Sequence, residues 1–338
     1  MGGVLPNQQV SQARSVDTTR LETELLEQYD GLDLVYAIDP TDPVVERSRA
    51  AGLPSDVSPS EGFQDSRVRN AFVAYTRYVV TNYEPEYLAL GVEVNMLRDR
   101  SPEQFEAFVS LYREAYENAK AADPDIKVFP TFQLDDLEGA LTRVHPPQWE
   151  AIENFSGTMD VLAVSAYPYL TGILDATEID EDYFAQLRER FEGEIMVLDT
   201  AYPSDAVPGQ RLLGGTEDQQ RYLEFVLGEA EEHGFSAVAW RAPFDPSYAR
   251  EGNLAAFADV GLRDTDGSNK PAWTVWEQWA GRPYESGAAP APTDEADPGD
   301  GDNGEDGDGD TPANEGEAPN GQADQDDAND DTGENGNR

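Results

Sequence analysis

Cysteine is absent from the 338 residues, which excludes disulfides and thiolate metal sites. Lysine is nearly absent, occurring at Lys120, Lys127 and Lys270, and the 23 basic residues face 68 acidic ones for a formal charge of −45. A surface of that sign repels phosphate, so nucleic acid is excluded as a partner. No apolar run reaches the roughly 18 residues of a membrane span. The opening Met1-Gly-Gly-Val-Leu-Pro-Asn has neither the basic region nor the apolar core of an export signal. The two histidines, His145 and His233, form no metal constellation, and no cofactor motif is present.

Part of the charge is concentrated in one segment. Residues 286–338 carry 17 Asp/Glu against one Arg, with no aromatic or branched apolar residue. Such a segment cannot bury enough surface to offset its ordering entropy, so 285–338 is expected to be a disordered acidic tail and 1–16 a polar lead-in. The Asp/Gly run from Asp300 lacks the ordered ligand ladder of a calcium loop. The folded part keeps a strong negative charge of its own, which suggests adaptation to high salt, where self-repulsion is screened.

Residues 17–284 alternate short apolar runs with amphipathic stretches. Strands are expected at 32–38, 88–95, 126–132, 159–167, 194–202 and 235–242. Helices are expected at 18–29, 66–82, 103–122, 148–155, 181–191, 216–233 and 271–280, the last carrying Trp273, Trp276 and Trp279 as packing residues. Strands separated by helices of this length pair in parallel with right-handed crossovers. The pattern predicts an α/β fold of the (β/α)₈ TIM-barrel type, a fold that takes about eight strands and 250 residues. Six strands are visible, so the first βαβ unit is expected to be missing, with an open six-stranded sheet as the alternative.

In parallel α/β folds ligands gather at the carboxyl ends of the strands. Those ends bear Glu93 and Asn95, then Gln133, then Tyr167, then Asp199 and Tyr202, and last Trp240 and Arg241. Two carboxylates from distant strands, facing each other among aromatic rings, is what cleavage of a glycosidic bond requires: one protonates the leaving oxygen while the other attacks or stabilises the anomeric carbon. Aromatic faces stack on the apolar C–H patches of sugars.

Four short motifs, in order, resemble those of the clan A glycoside hydrolases, and within them the arabinogalactan endo-β-1,4-galactanases of glycoside hydrolase family 53. They are Gly91-Val92-Glu93, the run Asp160-Val161 to Ser165-Ala166-Tyr167-Pro168, Asp199-Thr200-Ala201-Tyr202-Pro203, and Gly261 to Gly267 with Lys270-Pro-Ala-Trp273. The resemblance spans about residues 32–279. It implies a barrel glycosidase with Glu93 as the catalytic acid/base and Asp199 as nucleophile or electrostatic partner. It also implies sugar contacts from Asn95, Gln133, Tyr167, Tyr202, Trp240 and Arg241, a β-linked carbohydrate substrate, no cofactor and no metal. The chain departs from the pattern twice: Val92 stands where the clan has Asn, and Asp199 where it has Glu. These departures leave three outcomes open, a slow or altered hydrolase, an inverting one, and a sugar-binding protein that has lost catalysis. A monomer, extracellular or at the cell surface, is the expected context, and a surface scaffold built on the tail is the third functional class.

Overall fold

A computed structural model describes residues 20–26, 28, 31–43, 46–143, 145–206, 215–249 and 252–283. The expected acidic tail and the 1–16 lead-in lie outside the described residues. Seven short parallel strands appear, β1 (Val35–Ile38), β2 (Tyr87–Leu90), β3 (Lys127–Phe129), β4 (Thr131–Gln133), β5 (Val161–Ala166), β6 (Glu194–Thr200) and β7 (Ala237–Trp240). The ladders join them as β1-β2-β3 and β4-β5-β6-β7. The 126–132 run expected as one strand is divided at Pro130, which has no N–H for the ladder. Pairing continues across the break, because Asp160 N–H donates to the Val128 carbonyl at 3.0 Å and Thr131 N–H to the Gly91 carbonyl at 3.0 Å. Every ladder between these strands is parallel, with Tyr36 opposite Leu88, Ala89 opposite Phe129, and Val164 opposite both Phe132 and Val197. Among the described residues no ladder joins β1 to β7.

Helices cover the strands. They are α1 (Ser66–Tyr83), α2 (Asn95–Arg100), α3 (Pro102–Ala122), α4 (Leu134–Leu137), α5 (Glu150–Glu153), α6 (Ala185–Arg190), α7 (Thr216–Glu232) and α8 (Pro271–Ala280). In α1 the buried residues Val68, Phe72, Thr76, Val79 and Tyr83 recur at intervals of three and four, which places them on one face. The Asp65 carboxylate caps the helix by accepting from Arg67 N–H at 2.8 Å. Pro102 begins α3, where a missing N–H costs nothing. Through Phe108 and Tyr112 its apolar face meets Phe63, Phe72 of α1 and Phe155, with ring centres 4.9–6.4 Å apart. The strands are apolar on both faces: Leu88, Val128, Leu162, Val164, Ile195 and Val197 belong to the main core with the helices, while Ala89, Phe129, Val161, Ala163 and Met196 pack with one another in a second cluster. This is an α/β fold of the TIM-barrel type.

The short helix α2 was not anticipated. The apolar run of 88–95 reads as one strand, but β2 stops at Leu90. There Gly91 takes φ +100°, and an added Cβ would come within 2.6 Å of the Phe108 ring. The chain then turns back at Glu93, itself at φ +51°, before entering α2.

Candidate active site

Parallel pairing brings the carboxyl ends of all the strands to one edge, and the charged side chains meet there. Glu93 follows β2 by a left-handed turn, held by its own N–H donating to the Thr131 hydroxyl at 2.9 Å. Ser165 of β5 donates its hydroxyl to Glu93 Oε1 at 2.6 Å. Arg47, from the loop after β1, donates Nε–H to Glu93 Oε2 at 2.6 Å. The same guanidinium bonds to Asp39 and, at 2.9 Å, to the Thr41 hydroxyl. Burial pulls the Arg47 pKa down, but Glu93 and Asp39 outweigh it, and the net direction is upward.

Asp199 of β6 lies across Ser165 in the β5–β6 ladder. Its Oδ2 accepts from Arg241 Nη1 at 2.6 Å, and the same Nη1 donates to the Tyr167 hydroxyl at 2.8 Å. The Arg241 guanidinium lies over Phe257, 4.3 Å from the ring centre. Asp199 keeps 39% of its side chain exposed. Even so, the protein packed around it raises its pKa above the usual carboxylate value, because desolvation outweighs the pull of Arg241 and the Tyr167 hydrogen bond, and Glu93 adds to the rise. Tyr167 is raised by its burial and by Asp199 and Glu93 together, so all three groups occupy one electrostatic neighbourhood.

The other sequence candidates are placed differently. Asn95 is wholly buried at the start of α2: its amide donates to the Gln133 carbonyl at 3.0 Å and to Asp136 Oδ2 at 3.1 Å, and its oxygen accepts from Gln133 N–H at 2.8 Å. Gln133 is buried too, with its side chain on Asp135 and the Asp136 N–H. These residues pin the end of β4 and do not face the mouth. Tyr202 is fully buried, its hydroxyl on the Ile173 carbonyl at 2.8 Å and its ring 5.1 Å from Tyr222, so it packs the core. The Trp240 indole N–H donates to the Val260 carbonyl at 2.8 Å, and its ring contacts Tyr222 on α7. The arrangement unites Glu93, Asp199, Tyr167 and Arg241 and adds Arg47 and Ser165, which sequence reasoning missed. Ser165 lies inside a quoted motif, one residue from a strand end, and that placement was the available signal. For Arg47 the signal was weaker: it is one of 20 arginines, well beyond the end of β1 and two residues before Arg49.

Asp160, at the opposite end of β5, accepts from Val128 N–H and pairs with Lys120 at 2.8 Å, so the Asp of that motif is structural. Among the described residues no group of three or more His, Asp or Glu is disposed to hold a metal ion. His145 instead approaches Asp136, and His233 approaches Glu229.

Two carboxylates with unlike surroundings, two guanidinium groups and a phenol at the mouth of a parallel α/β fold make a site suited to proton transfer and to binding polyhydroxylated ligands. Barrel glycosidases share its fold. No protein-family model matches the sequence, and no curated protein matches it. Similarity appears in three dimensions. An exo-β-1,4-mannosidase from Opitutaceae bacterium strain TAV5 superposes with a TM-score of 0.56 at 17% identity, over 78% of this chain and 48% of that one. An endo-laminarinase from Formosa matches at 0.54 with 13% identity over 79% and 76%, and the GH53 catalytic domain of Ignisphaera aggregans at 0.52 with 18% identity over 76% and 77%. The chain spans less than half the length of the mannosidase and 42% of an uncultured Clostridium β-glucuronidase that it also resembles. At these identities the likeness establishes the fold.

Proposed function

We propose that the protein is a glycoside hydrolase acting on a β-linked oligo- or polysaccharide through Glu93 and Asp199. The observation that carries this reading is the shared neighbourhood of the two carboxylates: Ser165 bonds one and pairs in register with the other, and Tyr167 senses both. Glu93 would protonate the leaving oxygen, and Asp199 would attack or stabilise the anomeric centre. Arg241, packed over Phe257, would line the sugar-facing wall, with the buried Tyr167 hydroxyl holding it from behind. The acidic, lysine-poor composition supports work at high salt, and a carbohydrate polymer as substrate supports an extracellular or surface location for a monomeric enzyme.

A second reading, a sugar-binding protein without turnover, is favoured by one observation. Both oxygens of Glu93 already accept strong hydrogen bonds, and Asp199 is paired with Arg241. A panel of 4-nitrophenyl β-glycosides and β-galactan, assayed in molar salt, separates the two. Turnover that falls by roughly 10²- to 10⁴-fold in Glu93→Gln supports the hydrolase. Equal, slow release by wild type and variant sinks it, and sugar affinity without release supports the binder.

A further inference from the structure

The acid/base candidate is clamped from a part of the chain that no motif marks. Arg47 and Glu93 keep only 12% and 15% of their side chains exposed, and their Nε–Oε2 distance is 2.6 Å. Both residues sit in the left-handed backbone region, at φ +60° and +51°, a conformation that non-glycine residues adopt at some cost in strain. The Arg47 turn closes through its N–H on the Asp42 carbonyl at 3.0 Å, and Asp39 and Thr41 anchor the far side of the guanidinium. Glu93 is thus held between a fixed cation and the Ser165 hydroxyl, with Thr131 on its backbone. The ionisable groups around it are Arg47 and Asp39 from the loop after β1, Tyr167 after β5, and Asp199 on β6.

We infer that Arg47 is a positioning residue for Glu93: its guanidinium, anchored by Asp39 and Thr41, fixes the carboxylate in the mouth between itself and the Ser165 hydroxyl. An effect on turnover rests on the reading of Glu93 as proton donor, whereas the fixed geometry does not.

The experiment uses the full chain in molar salt with Arg47→Gln, Arg47→Lys, Glu93→Gln and the double variant Arg47→Gln/Glu93→Gln. On whichever nitrophenyl β-glycoside the wild type cleaves, kcat should drop roughly tenfold or more in Arg47→Gln while KM stays within about threefold, because the residue acts through Glu93 and not on the sugar. Arg47→Lys should recover part of that loss, and adding Glu93→Gln to Arg47→Gln should cost no more than Glu93→Gln alone. A readout free of turnover accompanies these: in protein labelled with ¹³C at the glutamate carboxyl, the resonance lost in Glu93→Gln should change its chemical shift in Arg47→Gln and return toward the wild-type position in Arg47→Lys. An unmoved resonance in a natively folded Arg47→Gln overturns the inference. If Arg47→Gln does not fold, Asp39→Asn, which frees the anchored guanidinium, must move the same resonance, or the inference falls. If the wild type cleaves nothing, the hydrolase reading fails and the resonance alone decides the role of Arg47.

Discussion

Ser165 stands opposite Asp199 in the β5–β6 ladder and donates its hydroxyl to Glu93 at 2.6 Å, so one residue bonds one carboxylate and lies in register with another more than 100 residues away in the chain. The relationship depends on an irregularity. Val164 pairs with Val197, but the next pair is Ser165 with Asp199, which leaves Leu198 unpaired. A skipped residue of this kind re-aims a strand, and such irregularities recur next to active sites.

Replacing Ser165 by alanine removes one hydrogen bond to a charged group. Such bonds contribute about 1.5–3 kcal/mol, so kcat/KM on a cleaved β-glycoside should fall roughly 10- to 100-fold. An unchanged kcat/KM would show that the contact does not act in the reaction.

Asn95→Ala should act on stability instead. The change strips a buried Gln133 N–H and carbonyl of their partner and takes one donor from Asp136. Orphaned buried groups cost about 1–3 kcal/mol each, so unfolding in urea should lose roughly 2–4 kcal/mol. KM for any bound sugar should change little, and a large KM effect would return Asn95 to the sugar-contacting set.

Glu138 supplies a pH signature. Burial, the neighbouring carboxylate of Asp135 and, more weakly, Asp180 raise its pKa to about 7, against the lowering effect of Gln186. The folded state then binds a proton more tightly than the unfolded chain, so stability from this group is full below about pH 4.5 and declines as pH rises through about 7. Glu138→Gln should remove on the order of 2 kcal/mol of that decline and be the more stable protein at pH 8. Urea midpoints at pH 5 and pH 8 for both proteins measure it, and parallel pH dependences would refute the assignment.

Lys270, one of three lysines, is buried against Asp245 at 2.6 Å and the Ser204 hydroxyl at 2.7 Å. Lys270→Ala leaves a buried carboxylate without its cation, at a cost of about 3–5 kcal/mol. The double change Lys270→Met/Asp245→Leu should recover most of that loss. Denaturant unfolding of the single and double variants decides it, and a double variant as weak as the single one would count against the pair as the cause.

Much of the fold was legible in the residues. Apolar runs flanked by turn residues located every strand to within a few positions, and the 3.6-residue spacing of Phe72, Val79 and Val80, or of Phe105, Phe108 and Tyr112, located the long helices. What escaped were α2, α4 and the division at Pro130: an apolar run continues through α2 and Pro130 and hides where hydrogen bonding stops, and the four residues of α4 are too few to show a helical period. That Glu93, Asp199, Tyr167 and Arg241 lie together was legible from one rule, that parallel strands expose their carboxyl ends together. Asn95, Gln133 and Tyr202 satisfy the same rule and yet turn inward, since position near a strand end says nothing about which face a side chain takes after the strand has ended.

The sequence by itself determined the alternation of strand and helix, the parallel direction and the acidic character, because each follows from local spacing, crossover length or composition. Tertiary structure alone decided that Arg47 reaches Glu93, that Leu198 is skipped so that Ser165 meets Asp199, and that Trp240 turns to Val260 and Tyr222. Those outcomes depend on register, on left-handed turns at single residues and on loops closing over contacts dozens of residues apart. No window of sequence carries them, because the partner that stabilises each one lies outside it.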